Sequence, residues 1–201
     1  MSAARGRSAG ARARPRARTG MRVARARREP GHGARSGRLR PAGCAVLTVS
    51  DTRRGAADTG GARVARLIEA AGHRVLARAW AKDERAAIRR AAAAALARPG
   101  VEVLVVTGGT GIAPRDVTPE ALAPLVDRWI PGFGERFRAL SVEQIGAAAW
   151  LSRAAAGIAG GRLLVLLPGS PAAVTLALRR LLLPELSHAL TMLGTASRRT
   201  R

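Results

Sequence analysis

The sequence predicts an α/β fold: a three-layer sandwich with a mainly parallel central sheet, helices on both faces and a small β-hairpin. Short apolar, β-branched runs alternate with longer segments of helical periodicity. More than ten residues separate the first three runs, the crossover length that a parallel neighbour needs. The third run, residues 101–106, ends abruptly in Thr107-Gly108-Gly109-Thr110-Gly111. Glycines there let the backbone turn and expose N–H groups, at the carboxyl end of a strand where α/β sheets bind ligands.

In chain order, Cys44-Ala45-Val46-Leu47-Thr48-Val49 reads as a buried strand ending at Ser50-Asp51. A polar loop with Gly55, Asp58, Gly60 and Gly61 leads to a helix over 62–71, apolar at Val64, Leu67 and Ile68 and stopped by Gly72. Residues 74–80 alternate as a second strand, and Asp83-Glu84 opens an Ala-rich helix over 83–97 that Pro99-Gly100 ends. After the glycine loop, Thr118-Pro119-Glu120 reads as a helix start, with Thr as N-cap, Pro at the first position and an acid in the first turn. Ile130-Pro131-Gly132-Phe133 is a turn into a helix over 134–145. Two apolar runs, 154–159 and 163–167, flank Gly160-Gly161 as a hairpin. Pro168-Gly169-Ser170-Pro171 then starts a helix over 171–183, Pro184 interrupts it, and a last helix covers 185–193.

The totals divide the chain. Residues 1–40 hold thirteen arginines, one acid (Glu29) and almost no large aliphatic side chain, so they cannot bury enough surface to order themselves. This tail reads as a solvated segment upstream of a second start at Met21, as a nucleic-acid-binding arm, or as an organelle transit peptide. The domain spans 41–195 and a basic tail 196–201. With 47% apolar but only 2% aromatic residues, its core must rest on Leu, Val, Ile and Ala. The lone Cys44 excludes an internal disulfide, and the absence of any apolar run of eighteen argues against a membrane span. No apolar segment suits a secretory signal.

Polar residues follow each of three strand ends: Ser50-Asp51, Asp83, and Thr107 through Asp116. Two carboxylates beside an anion-binding loop suit Mg²⁺-assisted phosphoryl or nucleotidyl transfer, because Mg²⁺ takes a few carboxylate oxygens and shares its other positions with phosphate and water. Each piece also has a plainer reading. Asp83 suits a helix N-terminus, Asp58 a turn, Arg115 a surface ion pair with Asp116, and Ser152-Arg153 a helix end. The loop lacks the Lys-Ser/Thr ending of a P-loop, which disfavours an ordinary ATPase.

Thr107-Gly108-Gly109-Thr110-Gly111 with Arg115-Asp116-Val117-Thr118-Pro119-Glu120-Ala121 resembles the signature of the molybdopterin-binding, MoaB/Mog-type family of molybdenum-cofactor biosynthesis. Thr48-Val49-Ser50-Asp51, Asp58-Thr59-Gly60-Gly61, Lys82-Asp83-Glu84, Pro131-Gly132-Phe133-Gly134-Glu135, Leu151-Ser152-Arg153 and Leu167-Pro168-Gly169-Ser170-Pro171 follow in family order, so the resemblance covers residues 42–193. It implies a compact α/β protein, cytoplasmic and assembled as a homotrimer or hexamer. It also implies Mg²⁺- and ATP-dependent adenylylation of molybdopterin with release of pyrophosphate, then hand-off to a molybdate-inserting enzyme. Asp83 and Asp116 take the places of the family's functional aspartates, which hold the metal, the ATP phosphates and the pterin. The resemblance puts Gly108, Gly109, Thr110 and Gly111 on phosphate through backbone N–H groups, and Ser152 with Pro168, Gly169 and Ser170 in the same cleft. Ser50, Asp51, Asp58, Gly61, Thr107, Arg115, Thr118, Pro119 and Glu120 complete the expected ligand-contacting set. A non-catalytic pterin-binding or carrier protein on the same scaffold is the alternative.

Overall fold

The computed structural model describes residues 40–194. The readings of residues 1–39 and 195–201 lie outside the described residues. Arg40, assigned to the tail by composition, belongs to the domain: its guanidinium donates to both Glu102 carboxylate oxygens, at 2.9 and 2.5 Å.

The chain runs β1 (Gly43–Val49), α1 (Thr59–Ala70), β2 (Arg74–Ala81), α2 (Arg85–Ala97), β3 (Val103–Thr107), α3 (Thr118–Leu122), β4 (Arg128–Trp129), α4 (Pro131–Ile145), β5 (Ala155–Ala159), β6 (Arg162–Leu167), α5 (Pro171–Ala177) and α6 (Leu183–Met192). One six-stranded sheet has the order β2-β1-β3-β6-β5-β4. Its first four strands are parallel, whereas β5 is antiparallel to β6 and β4 to β5. The central strands β1 and β3 are buried at every position, as their unbroken apolar runs require, and the edge strand β2 is largely open. Alternate side chains divide the core. Val46 and Val105 meet Ile68, Phe137, Val174 and Leu186 from α1, α4, α5 and α6 on one face. Leu47 and Val106 meet Ile88, Leu96 and Leu122 from α2 and α3 on the other.

The structure changes several local expectations. The hairpin is no appendage, because β6 pairs in parallel with β3 and the hairpin forms the far part of the sheet. Two residues of β4 extend that edge. Pro131 sits in the first turn of α4, where a missing N–H costs nothing, so this helix starts earlier than expected. Thr118 is the first residue of α3 and not its cap; its hydroxyl donates to the Gly108 carbonyl at 2.9 Å. Pro184 does not break the chain's last helix. A π turn, Leu178–Leu182, links α5 to α6 and absorbs the lost hydrogen bond and the crowding of the proline ring.

Cys44 is fully enclosed, and burial, with the Glu102 charge adding to it, pushes its thiol up to about 12. We expect a maleimide to leave Cys44 unlabelled in the native protein at pH 7 and to label it after denaturation. Rapid native labelling would contradict this packing.

Candidate functional site

The strand order places a crevice where it is useful. From β1 the chain crosses to β2 on one side and then to β3 on the other, so the two crossovers diverge at the carboxyl ends of β1 and β3. The residues there are Val49-Ser50-Asp51 and Thr107-Gly108-Gly109. Gly108 has φ +109°, and a Cβ on it would stand 2.1 Å from the Val49 carbonyl oxygen. Only glycine lets these two strand ends close up.

Both candidate carboxylates press on this loop. A Cβ at Gly109 would fall 2.9 Å from Asp83 Oδ1, and one at Gly111 would fall 2.7 Å from Asp116 Oδ2. Asp83 is held from behind, since its backbone N–H donates to Asp51 Oδ1 at 3.1 Å. Asp116 Oδ2 accepts the Ala113 N–H at 2.9 Å. Burial raises the Asp83 carboxyl above its ordinary value, and the Asp116 charge raises it further. A cation between the two would relieve that repulsion. The donors are carboxylate oxygens, hard ligands of the kind Mg²⁺ takes, and among the described residues they are two and not a cluster of three or more. Arg115 pairs with Asp51 and lies 3.9 Å from Asp83 Oδ2, so it serves those acids and not Asp116.

The expected ligand-contacting residues divide between two clefts on either side of the glycine loop. A polar cleft of about 170 Å³ is lined by Ser50, Asp58, Asp83, Thr107, Gly108 and Gly109, and further by Arg115, Asp116 and Gly169. Thr48 and Gly60, named in the sequence only as parts of motifs, also line it, as does Arg53, which the sequence reading did not name. An apolar cleft of about 270 Å³ takes Thr110, Gly111, Ser152, Pro168 and Ser170, with Phe137, Ile145 and Leu151. Ser152, Pro168 and Ser170 therefore do not share the cleft of the aspartates, and of that turn only Gly169 reaches it. The Thr110 hydroxyl is buried, 2% exposed, without a hydrogen-bond partner.

The N–H cradle is also narrower than expected. Gly108 N–H donates to Leu167 O at 2.9 Å and so belongs to the sheet. Among the described residues, the Gly109, Thr110 and Gly111 N–H groups have no protein acceptor.

The remaining candidates, and Asp58 with them, act on the surrounding structure. Asp58 lines the polar cleft but spends its carboxylate internally, accepting Gly61 N–H at 2.8 Å, Thr48 Oγ1 at 2.9 Å and Arg78 at 3.0 Å as the N-cap of α1. Gly61 leaves no room for a side chain beside Thr48 Oγ1. Thr118 ties α3 to the loop, its N–H donating to Gly109 O at 3.0 Å, and Pro119 occupies the first turn of α3. Glu120 pairs with Arg153. Burial alone would raise the Glu120 carboxyl, but hydrogen bonds from its own backbone and from Arg153 hold it below its ordinary value.

Arg153, which sequence reasoning undervalued, ties the site loop together. Its backbone N–H donates to Thr110 O at 2.9 Å and its Nε to Gly111 O at 2.7 Å. Its two terminal nitrogens donate to the Asp116 carbonyl and to Glu120. The motif Leu151-Ser152-Arg153 marked the position, but nothing in the linear sequence connects it to residues 110–120.

The family model described as "Probable molybdopterin binding domain" matches residues 45–188. Molybdenum cofactor biosynthesis protein B of Halalkalibacterium halodurans is 46% identical over 146 residues, covering 72% of this chain and 86% of that protein. A crystal structure of a molybdenum cofactor biosynthesis protein B superimposes with a TM-score of 0.75 at 40% identity, covering 78% of this chain and 98% of the other. The tungsten cofactor synthesizing protein MoaB of Pyrococcus furiosus superimposes with a TM-score of 0.68 at 34% identity, over 76% and 96% of the two chains.

Proposed function

The chain belongs to the molybdopterin-binding family of molybdenum cofactor biosynthesis, and from that premise we propose that it is a molybdopterin adenylyltransferase using Mg²⁺ and ATP. An oxygen of the pterin's terminal phosphate attacks the α-phosphorus of ATP. The bond from that phosphorus to the α,β-bridging oxygen breaks, and pyrophosphate leaves with the bonding electrons.

The observation that carries this reading is the pair of clefts meeting at one glycine loop. The polar cleft, with Asp83, Asp116, Arg115 and Arg53, suits the nucleotide's phosphates. The apolar cleft suits a flat heterocycle, and Gln144, Ser152 and Ser170 in its lining bring polar groups to it. The N–H groups of Gly109, Thr110 and Gly111, on the loop whose residues line both clefts, would serve the phosphates that react. Asp83 and Asp116 would hold Mg²⁺, which when bound neutralises charge on the phosphates. The protein's own part is to position and to screen charge; no Ser or Cys nucleophile is required, and Cys44 is buried in the sheet. The exposed apolar side chains Val142, Ile145 and Trp150 suit the homotrimer or hexamer this reading includes.

Mixing the protein with molybdopterin and Mg-ATP is expected to release one pyrophosphate per pterin, followed by a coupled phosphate assay. Stoichiometric pterin binding without pyrophosphate would make the protein a carrier.

A further inference from the structure

The polar cleft is lined mainly by Thr, Ser, Gly, Arg and Asp residues and by no aromatic ring, which suits phosphates, so a stacking surface for a purine has to come from outside that lining. On the β1 side of the cleft the neighbouring strand presents an indole. Trp80 of β2 pairs in register with Thr48, which lines the cleft, and lies three residues before Asp83. The Arg54 guanidinium carbon stands 3.3 Å from the centroid of the Trp80 ring, and Arg53, the preceding residue, lines the cleft. The indole thus carries a flat, cationic cover supplied by the exposed loop between β1 and α1. The Trp80 Nε1 atom is buried and has no hydrogen-bond acceptor among the described residues. Beyond Arg54 the chain enters a 3-10 turn at Gly55, whose φ is +55° and whose Cβ position faces open space.

We propose that Trp80 and Arg54 form the purine subsite of the nucleotide. The base slides over the indole in place of the guanidinium, and Arg54 closes on the outer face of the base. Stacking on Trp80 and cation–π contact with Arg54 hold the ring while its phosphates reach Asp83. This rests on the nucleotide reading above and adds which residues select the base.

The test uses the Trp129→Phe, Trp150→Phe double variant of the full chain, which leaves Trp80 as the only indole. Mg-ATP and Mg-tripolyphosphate are titrated separately by calorimetry and by fluorescence. We expect both to bind and only ATP to change Trp80 emission. In the otherwise unchanged protein, Trp80→Leu should weaken ATP on the order of 10-fold and leave tripolyphosphate affinity unchanged, while Trp80→Phe should keep most of the ATP affinity. Unchanged tripolyphosphate binding shows that each variant is folded. ATP binding that neither alters Trp80 emission nor weakens in Trp80→Leu overturns the subsite but spares the nucleotide reading. Failure of both ATP and tripolyphosphate to bind overturns both.

Discussion

Asp83→Asn is expected to slow pyrophosphate release by roughly 10³-fold and yet to raise the melting temperature of the ligand-free protein at pH 7. Both effects have the same source. Asp83 is half-buried against the glycine loop, and that burial, with the Asp116 charge adding to it, raises its carboxyl above the ordinary value. The folded state then binds the Asp83 proton more tightly than the unfolded chain does. Below the unfolded pKa that stabilisation is fully present, and it is lost as pH rises through the folded value. Above its folded value the wild-type carboxylate is ionised and poorly solvated, a cost the unfolded chain does not bear. Asn keeps the shape and removes the charge. The gain in melting temperature should therefore vanish below the ordinary carboxylate range. Arg115 loses a partner at 3.9 Å but keeps Asp51, and at 58% exposure that loss weighs little. Mg²⁺ should stabilise the wild type and leave the variant nearly unmoved. Thermal melts from pH 3 to 8, with and without Mg²⁺, separate these contributions. Equal melting at every pH together with full turnover would remove Asp83 from the mechanism.

Such tension between stability and function explains which parts of the molecule could be read in advance. β1 and β3 were legible because a strand buried on both faces must be apolar throughout, and their residues are. α1 was legible from Val64, Leu67 and Ile68, and its end from Gly72, which has φ +82°. The convergence of Asp83 and Asp116 on one loop could be expected because parallel strands bring their carboxyl ends to a single sheet edge. What escaped depends on contacts between distant residues. The joining of β6 to β3 is a matter of register, which no local pattern carries. Pro184 signals a helix break by its chemistry, and tertiary packing of Leu178, Leu182 and Leu186 keeps the helix continuous through a π turn. The Gly108 N–H appeared available for phosphate until the sheet claimed it for Leu167. The division of one expected cleft into two arises because the glycine loop stands between them, which composition cannot show.

The clearest case of such a distant contact is Arg153, and its loss should be costly. Arg153→Ala is expected to lower kcat roughly a hundredfold with little change in the KM for ATP, since the residue lines neither the polar nor the apolar cleft and acts on the geometry of a loop. Its side chain joins Gly111 O, at the glycine end of the loop, to the Asp116 carbonyl and Glu120 at the far end. Removing it frees the segment that must keep the Asp116 carboxylate and the Gly109–Gly111 N–H groups in one arrangement. The backbone bond from Arg153 N–H to Thr110 O survives the substitution, so the fold itself should lose only about 1–2 kcal/mol. Arg153→Lys should recover little, because a single ammonium cannot reach two carbonyls and a carboxylate with the guanidinium's fixed fork. Millimolar guanidinium added to Arg153→Ala should restore part of kcat, well below denaturing concentrations. A purely structural role would give a lower melting temperature with no such rescue. Hydrogen exchange adds a second readout: amides of residues 109–116 should exchange faster in Arg153→Ala while those of β1 and β3 stay protected. Unaltered kcat with unaltered exchange in that segment would show that the loop holds its shape without the clamp.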